Sequence, residues 1–202
     1  DLSVSKVRAL MAVLNRSEGW EDAFCREREE EMWDLAQRND VETLVAHALR
    51  ESSLRESVMG CWEESHGQTD AKIRAYLDEL DVVAAALSSH GIQLVALKNA
   101  GIARGIHGCP GCCPMGDLDT LVARESFREA HKIMLAEGFR LSFRNPSESE
   151  DIEEAERHGS VEYCMTLATG GTLWFELQSR AVAGEWIRPE QEPDTGALLA
   201  RS

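Results

Sequence analysis

The stretch VALKNAGIARGIHGCPGCCPMGDLDTLV, residues 95–122, marks a change in the periodicity of the chain. The apolar runs IQLVAL (92–97) and DLDTLV (117–122) are typical of short buried strands, and NAGIARGIHG between them can hold a short helix. Helical spacing dominates before this stretch, whereas strand-like runs follow it. The stretch therefore predicts the point at which a helical part gives way to a mixed α/β sheet.

Residues 1–90 are predicted to form a helical bundle. The segments VSKVRALMAVL, WEDAFCREREEEMWDLAQRN and VETLVAHAL all combine helical periodicity with charged outer faces. The clearest helix is DAKIRAYLDELDVVAAALSSHG, in which Asp70 is the expected N-cap and Gly91 the C-terminal stop. One face of that helix carries apolar residues at spacings of three and four: Ile73, Tyr76, Leu77, Leu80, Val83, Ala84 and Leu87.

Residues 91–182 are predicted to form the sheet, with a helix over SFREAHKIMLAEG and strands over FRLSF, VEYCMTLA and TLWFELQ. Thr169-Gly170-Gly171 indicates a hairpin between the last two strands. The acidic segment RNPSESEDIEEAERHG is interpreted as a solvated loop or frayed helix, or else as a lid. Residues 183–202 are interpreted as a polar tail, and a C-terminal portion beyond them is left open.

Charge and composition limit the partners of the chain. Its 202 residues include 21 Lys and Arg against 36 Asp and Glu, for a net charge of −15, which repels a phosphate backbone and argues against nucleic acid. The sequence contains no long apolar run and no leader at residue 1, so we expect no membrane span and no secretion signal. Because the six cysteines lack the spacing of a disulfide framework, we expect reduced thiols and a cytoplasmic location.

Asp117 and Asp119 are the leading candidates for chemistry. Residues two apart in a strand point to the same side, so both carboxylates project together while Leu118 faces the core. In TLWFELQ, Glu176 alternates with core residues, and a strand beside DLDTLV would place it across from the aspartates. Such carboxylates bind Mg²⁺ together with substrate phosphates. Glu162 is the next candidate for the third carboxylate.

Lys98 lies where a strand ends and a helix begins. Unpaired N–H groups at a helix N-terminus and the lysine charge both suit a polyphosphate. Gly101 is expected to permit close packing, and Gly116 to let a ligand approach the backbone. The Gly-Lys-Ser/Thr ending of a Walker loop is absent from this sequence.

The cysteine-rich segment CPGCC offers a rival site. His107, Cys109, Cys112 and Cys113 form H-x-C-x-x-C-C, which suits zinc, yet four ligands within seven residues cannot readily surround one ion. Structural zinc, a disulfide or redox pair, and an ordinary loop are left open. Of these we expect a loop outside the core that leads into the catalytic strand. His158 is interpreted as a surface residue in preference to a phosphate contact.

The order of these signals resembles the polymerase-β-like nucleotidyltransferases and, more narrowly, a family of uncharacterised bacterial nucleotidyltransferases. The segments that carry the resemblance span most of the chain: RNDVETLVAHAL, IQLVALKNAGIA, PMGDLDTLV, LAEGF and WFELQ. The chain departs from the family pattern at Asn99, where the family has glycine, at Cys113, where an arginine is usual, and at Gln178, where histidine follows the carboxylate. Arg104 is the candidate substitute for the phosphate-binding arginine.

The resemblance implies an α+β fold, with an N-terminal helical bundle followed by a mixed-sheet polymerase-β-like nucleotidyltransferase core. It implies a metal-dependent transfer of a nucleoside monophosphate from an NTP such as ATP to a small-molecule, peptide or protein acceptor. Asp117, Asp119 and Glu176 would bind Mg²⁺ and act in catalysis. The nucleotide would be bound by Lys98, Asn99, Gly101, Arg104 and Gly116. The alternative function is a catalytically weak module of the same fold that binds a nucleotide, peptide or partner protein.

Overall fold

The computed structural model describes residues 4–142, 151–181, 191 and 193–200. The chain divides into two compact units, each of which is described separately below. The helical unit comprises Asp1–Ile73 and Cys109–Pro114, and the sheet unit comprises Arg74–Gly108 and Met115–Ser202. The short segment Cys109–Pro114 therefore belongs to the helical unit, although its sequence neighbours on both sides belong to the sheet unit.

Amphipathic helices surround an apolar core in the helical unit, as their periodicity predicts. These helices are α1 (Val4–Leu14), α2 (Trp20–Cys25), α3 (Glu29–Arg38), α4 (Glu42–Arg50) and the first part of α5 (Gly60–Ser89). Trp62 is the largest fully buried side chain, and its ring meets that of Trp33 edge-on at 4.7 Å between centroids. Its indole N–H donates to Glu29 Oε1 at 2.8 Å, so the buried polar atom is satisfied.

Helix α5 starts earlier than the sequence predicts. It begins at Gly60, so Asp70 lies inside the helix and the prediction of Asp70 as N-cap is wrong. Trp62 and His66 lie one helical turn apart and are both 1% exposed, so burial extends the helix over a polar stretch. At the other end α5 finishes at Ser89, and Gly91 has φ +72°, which confirms the predicted stop.

Within the described residues, the sheet unit contains five strands in the order β1-β2-β5-β4-β3. They are β1 (Val95–Ala96), β2 (Leu118–Leu121), β3 (Arg140–Leu141), β4 (Ser160–Thr166) and β5 (Thr172–Gln178). β2 pairs with β5 in parallel, and the other pairs of described strands are antiparallel. The second part of α5 also belongs to this unit, as do helices α6 (Lys98–Gly105), α7 (Phe127–Ala136), α8 (Ile152–His158) and α9 (Thr195–Leu199). The predicted α+β fold, with helices followed by a mixed sheet, is confirmed.

One face of the sheet carries the apolar core of this unit. Phe139 and Phe175 meet edge-on at 5.4 Å between ring centroids, and Tyr163 is fully buried beside them. The predicted stripe of α5 is buried except for Ala84, which is half-buried. Gly170 and Gly171 both have positive φ between β4 and β5, as the predicted hairpin requires.

Two polar segments contain short helices. In the acidic segment, Asp151 caps α8 by accepting a hydrogen bond from the Glu153 N–H at 2.8 Å. Residues 143–150, on which the rest of the loop or lid prediction falls, lie outside the described residues. In the predicted polar tail, Asp194 caps α9, and Leu199 of that helix is buried. Residues 182–190, 192 and 201–202 also lie outside the described part.

Candidate functional site

Strands β2 and β5 bring the predicted carboxylates together. Asp119 lies directly opposite Glu176 in the parallel register, so the two side chains share one face of the sheet. The prediction that a strand beside DLDTLV would place Glu176 across from the aspartates is confirmed for Asp119, whereas Asp117 lies outside the strand, so the predicted shared strand face of the two aspartates stays a prediction. Asp117 precedes the first residue of β2 and is half-buried, so it borders this pair from the turn that enters the strand.

A third carboxylate extends the pair across the next strand. Glu162 of β4 lies opposite Glu176 and is 5% exposed. Asp119, Glu176 and Glu162 therefore form a row across three neighbouring strands, which we call the acid row. An acid inside the apolar run VEYC is the sequence signal for Glu162, because a strand that packs on both faces rarely carries a carboxylate without a partner or a function.

Lys98 joins the acid row through the turn that leads from β1 into α6. Its Nζ donates to Asp119 Oδ1 at 2.6 Å, while the Leu97 N–H donates to the carbonyl oxygen of Asp119 at 2.8 Å. Lys98 has φ +47°, a left-handed backbone that costs a non-glycine residue energy and is typical of functional sites. The strain is located at the residue that sequence analysis assigns to phosphate.

The charges around Asp119 are balanced by a cation and a proton. Burial lowers the pKa of Lys98, but the hydrogen bond and charge of Asp119 outweigh it and raise the pKa overall, so the lysine stays cationic. Burial, together with the hydrogen bond and charge of Asp119, raises the pKa of Glu176 to about 7, although Lys98 and Gln178 oppose the rise. Glu176 is thus protonated more readily than an ordinary glutamate.

Gln178 stands where the resemblance described above would place a histidine after the carboxylate. Its Nε2 donates to Asp119 Oδ1 at 3.3 Å, and the side chain is 3% exposed. Because an amide has no titratable proton near neutral pH, Gln178 can orient Asp119 but cannot act as an acid or base there. Glu176, whose pKa burial and Asp119 raise to about 7, is a carboxyl group that can titrate there.

The remaining predicted nucleotide-binding residues divide into two groups. A Cβ at Gly101 would lie 2.7 Å from the carbonyl oxygen of Ala96, which confirms that this glycine permits close packing of α6 on β1. Gly116 has open space around it and Asn99 is exposed, as a ligand-binding position requires. Arg104 forms an ion pair with Asp81 of α5 instead of a bond to the acid row. Its role toward phosphate stays a prediction.

The acid row fits a hard divalent cation by chemistry. Two facing carboxylates that need a shared proton and a lysine for balance are stabilised when a cation replaces the proton. The oxygens of these acids do not converge on one point within the part of the chain that the structure describes. In this state Lys98 Nζ and the proton satisfy Asp119, so a metal ion would have to displace them.

The CPGCC segment is not the exposed loop that the sequence predicts. Pro110–Cys112 form a 3-10 turn that packs against α4 in the helical unit, and Gly111, Cys112 and Cys113 are buried. Burial raises the pKa of both the Cys112 and Cys113 thiols, so both are protonated near neutral pH. His158 is exposed, as expected of a surface residue.

Comparison with known proteins completes the description. No helix within the described residues is long and apolar enough to cross a membrane. The chain finds no match among curated proteins or among solved structures. Residues 26–202, however, match the model of a family described as uncharacterised nucleotidyltransferase, so the predicted resemblance is confirmed and the chain belongs to this family.

Proposed function

We propose that this protein is a metal-dependent nucleotidyltransferase that moves a nucleoside monophosphate from an NTP to a small-molecule, peptide or protein acceptor. The observation that carries the proposal is the register of β2 and β5, which sets Asp119 opposite Glu176 with Lys98 bonded to Asp119. Facing carboxylates beside a cationic side chain at a strand-to-helix turn suit a triphosphate with its metal ions. Family membership supports the same class of reaction.

Each residue has a distinct role in this proposal. Asp117 and Asp119 would hold Mg²⁺, and Glu176 would complete the set of carboxylates. Bound Mg²⁺ would neutralise the charge that develops on the triphosphate and on the pyrophosphate leaving group. Lys98 is positioned to move its ammonium group from Asp119 to a phosphate oxygen once the charge of Asp119 is otherwise balanced. Asn99, Gly101 and Gly116 would contribute backbone N–H groups or free space, and Arg104 a second cation.

The reaction itself needs one proton acceptor. The hydroxyl oxygen of the acceptor forms a bond to the α-phosphorus while the bond from that phosphorus to the bridging oxygen breaks and pyrophosphate leaves. Glu176 would take the hydroxyl proton, because it lies opposite Asp119 on the face of the sheet where the triphosphate would bind. A net charge of −15 favours acceptors other than nucleic acid, and a cytoplasmic location remains part of the proposal.

The second candidate function is a catalytically weak module that binds a nucleotide, peptide or partner protein. Two observations favour it: Gln178 stands in place of the family's histidine, and Arg104, the substitute for its arginine, is paired with Asp81. Both changes remove groups that would stabilise charge on a reacting phosphate. Neither change removes the acid row or Lys98, which is why transfer is the first proposal.

The test separates binding from turnover. A thermal-shift screen of NTPs with and without Mg²⁺ measures binding, and pyrophosphate release with candidate acceptors measures transfer. Glu176→Gln should lower turnover by about 100-fold or more, the scale for a lost general base, with a modest loss of affinity. Lys98→Ala should weaken NTP binding first, because the lysine acts in ground and transition states alike. Asp78→Asn, an exposed acid on α5, is the control.

Three outcomes would count against the proposal. Parent-like turnover of Glu176→Gln would remove Glu176 from the site and make Glu162 the next candidate. NTP binding by the parent without pyrophosphate release for any acceptor would favour the binding module. The absence of both Mg²⁺-dependent binding and turnover would contradict both functions.

A further inference from the structure

Four side chains of the helical unit converge on one point. They come from α4, from α5 and from the two ends of the turn Pro110–Cys112, and one ligand atom of each lies within 4.8 Å of the others: His47, His66, Cys109 and Cys112. We call these residues the His/Cys cluster. Cys109 Sγ lies 3.2 Å from His66 Nε2 and 3.3 Å from Cys112 Sγ, and Cys112 Sγ lies 4.0 Å from His66 Nε2.

These distances suit a tetrahedral zinc shell. Zinc binds thiolate sulfur at about 2.3 Å and imidazole nitrogen at about 2.0–2.1 Å, so ligand atoms at the corners of a tetrahedron lie about 3.5–3.8 Å apart. The separations among Cys109, Cys112 and His66 lie on both sides of that range and need shifts of up to about half an ångström to reach it, and the ligand atom of His47 lies within 4.8 Å of the others. Two thiolates with two imidazoles are soft ligands that select zinc over magnesium.

We infer that the His/Cys cluster is a structural zinc site. Four protein ligands leave no open position for a substrate, which distinguishes a structural from a catalytic zinc site. The inference is independent of the proposed nucleotidyl transfer, because the residues, the unit and the preferred metal all differ from those of the acid row.

The turn between the cysteines is fitted to one of the histidines. A Cβ at Gly111 would lie 2.6 Å from both Cε1 and Nε2 of His66, so glycine is required for the ring to approach the turn. The Cys112 N–H donates to the carbonyl oxygen of Cys109 at 3.0 Å, which holds both sulfurs on the same side. His66 is 1% exposed, and its ring stacks on that of His47 with an interplanar angle of 13°.

The surroundings of the histidines show what metal binding must change. Without metal, Arg50 donates to Nδ1 of His66 at 2.9 Å, and Nε2–H points to Cys109. A zinc ion on Nε2 of His66 would move the ring proton to Nδ1, so the Arg50 guanidinium could no longer donate to Nδ1 and would have to turn away. Glu63 can then accept from Arg50, because its Oε2 lies 3.4 Å from Arg50 Nε. Glu51 lies 3.5 Å from Nε2 of His47, where a carboxylate can orient a ligand imidazole.

The sequence alone suggests a different ligand set. It groups Cys109 and Cys112 with His107 and Cys113, whereas the structure pairs these two cysteines with histidines from α4 and α5. His107 belongs to the sheet unit, and Cys113 is not part of the convergent group. The two sets share their cysteines but not their other members, so single substitutions discriminate between them.

The experiment measures zinc in untagged, full-length protein purified with reductant and zinc chloride. Elemental analysis should find about one zinc ion per chain, because four ligands complete one shell. His47→Ala and the double variant Cys109→Ser/Cys112→Ser should lose it, while His107→Ala and the exposed-site control Cys25→Ser should retain it. Zinc loss from His107→Ala with retention by His47→Ala would overturn the assignment in favour of the set predicted from sequence.

Two further measurements use the parent protein, so they test the inference even if the variants fail to fold. Cobalt replacement should give the absorption of tetrahedral cobalt with thiolate ligands, and a mercurial reagent that caps thiols should release zinc in proportion. A parent without stoichiometric zinc under these conditions, or with a Cys109–Cys112 disulfide that persists in reductant, would overturn the inference. Zinc that survives complete thiol capping would overturn it as well.

Discussion

The acid row of the sheet unit and the His/Cys cluster of the helical unit are two sets of metal-ligating side chains with opposite chemistry. The acid row consists of hard carboxylates that carry excess negative charge, which Lys98 and a shared proton balance. The His/Cys cluster consists of soft imidazole and thiol groups that contact one another, and Arg50 donates to Nδ1 of His66. The first set is therefore suited to a metal that arrives with a substrate, and the second to a metal that stays.

The backbone of each set reflects the same difference. Register between β2, β5 and β4 lines up the acids, and the strained backbone of Lys98 brings a cation to them. In the helical unit a 3-10 turn and two helices each contribute part of the shell, and Gly111 sets how closely the turn approaches. Among the described residues with a left-handed non-glycine backbone, which are Arg16, Asp40 and Lys98, Lys98 is the one that is bonded to the acid row, while the close approach at Gly111 borders the His/Cys cluster.

The largest expected effect concerns Asp119. Asp119→Asn keeps the shape of the side chain and an oxygen that can accept from Gln178, but it removes the charge that Lys98 and a metal ion require. We expect pyrophosphate release to fall by about 10²–10³-fold, the scale for losing one electrostatic contact at a reacting centre. The double variant with Asp117→Asn should also lose Mg²⁺-dependent stabilisation by NTP in a thermal-shift assay, while far-UV circular dichroism stays unchanged.

The control for this prediction is Asp78→Asn, which removes an exposed acid from α5. Asp78→Asn should leave both pyrophosphate release and Mg²⁺-dependent stabilisation by NTP at parent values. If the Asp119 variants bind NTP with Mg²⁺ as well as the parent does, the carboxylates of β2 are not metal ligands. Of the two sets of side chains, the His/Cys cluster would then remain as the candidate metal site.

The acid row and the His/Cys cluster differ in how far the sequence predicts them. Period-two alternation in DLDTLV and TLWFELQ predicts the face of Asp119 and Glu176, because strand geometry transfers directly from sequence spacing. The start of α6 at Lys98 follows from the end of an apolar run. The left-handed backbone of Lys98 cannot be predicted from the sequence pattern, because it accompanies the hydrogen bond from the Leu97 N–H to the carbonyl oxygen of Asp119 on the neighbouring strand.

The His/Cys cluster could not be predicted from spacing. Its histidines lie on helices far from CPGCC in sequence, and only tertiary packing brings them to that turn. The error at Asp70 has the same origin, since burial of Trp62 and His66 extends α5 over a stretch whose composition is polar. Local propensity gives way to tertiary burial at both positions.

Metal exchange provides the second prediction. Protein stripped of both metals by a strong chelator should melt about 5–10 °C lower, because a structural zinc binds only the folded state. Zinc chloride should restore the melting temperature without restoring transfer. MgCl₂ added after zinc should then restore transfer. Restoration of the melting temperature by MgCl₂ alone would erase the distinction between the two sets of ligands.

A third prediction uses the proton held by Glu176 in magnesium-free buffer. The folded pKa of about 7 lies above the ordinary value of 4.5, so between these pH values the native state binds more protons than the unfolded state. The contribution of Glu176 to stability is thus full below pH 4.5 and is lost as the pH rises through 7. Its size is on the order of 2 kcal/mol, given the coupling to Asp119 and the opposing charge of Lys98.

Denaturant unfolding of the parent and of Glu176→Gln across this pH range measures the difference. The parent should lose stability relative to the variant as the pH rises, and Mg²⁺ should reduce that loss. A stability difference that does not change with pH would mean that Glu176 is already ionised, and that the acids are balanced by Lys98 alone.

The fourth prediction tests how Gly111 supports the His/Cys cluster. Gly111→Ala places a methyl group against the ring of His66, which must move away from the cysteines. Zinc affinity, measured by competition with a chelating dye, should fall by about tenfold, the lower end of the range for disturbed ligand orientation. Unchanged affinity would mean either that the ring moves without cost or that His66 is not a ligand, and His66→Ala distinguishes these cases.

The smallest effect is expected at Gly101, which performs the matching role in the sheet unit. Gly101→Ala brings a Cβ within 2.7 Å of the Ala96 carbonyl oxygen, so α6 must shift on β1. The better helix propensity of alanine offsets part of this cost, which leaves a net loss of about 1 kcal/mol in the free energy of unfolding. Zinc content should stay at the parent value, because Gly101 belongs to the sheet unit.

Gly116→Ala is the matched control, since a Cβ at Gly116 would meet nothing within 4 Å and the variant should leave stability unchanged. If Gly116→Ala nevertheless weakens NTP binding, the nucleotide uses the open space at Gly116. If Gly101→Ala costs no stability, the turn into α6 is looser than its geometry indicates. Lys98 would then be held in place by its bond to Asp119 and not by the backbone.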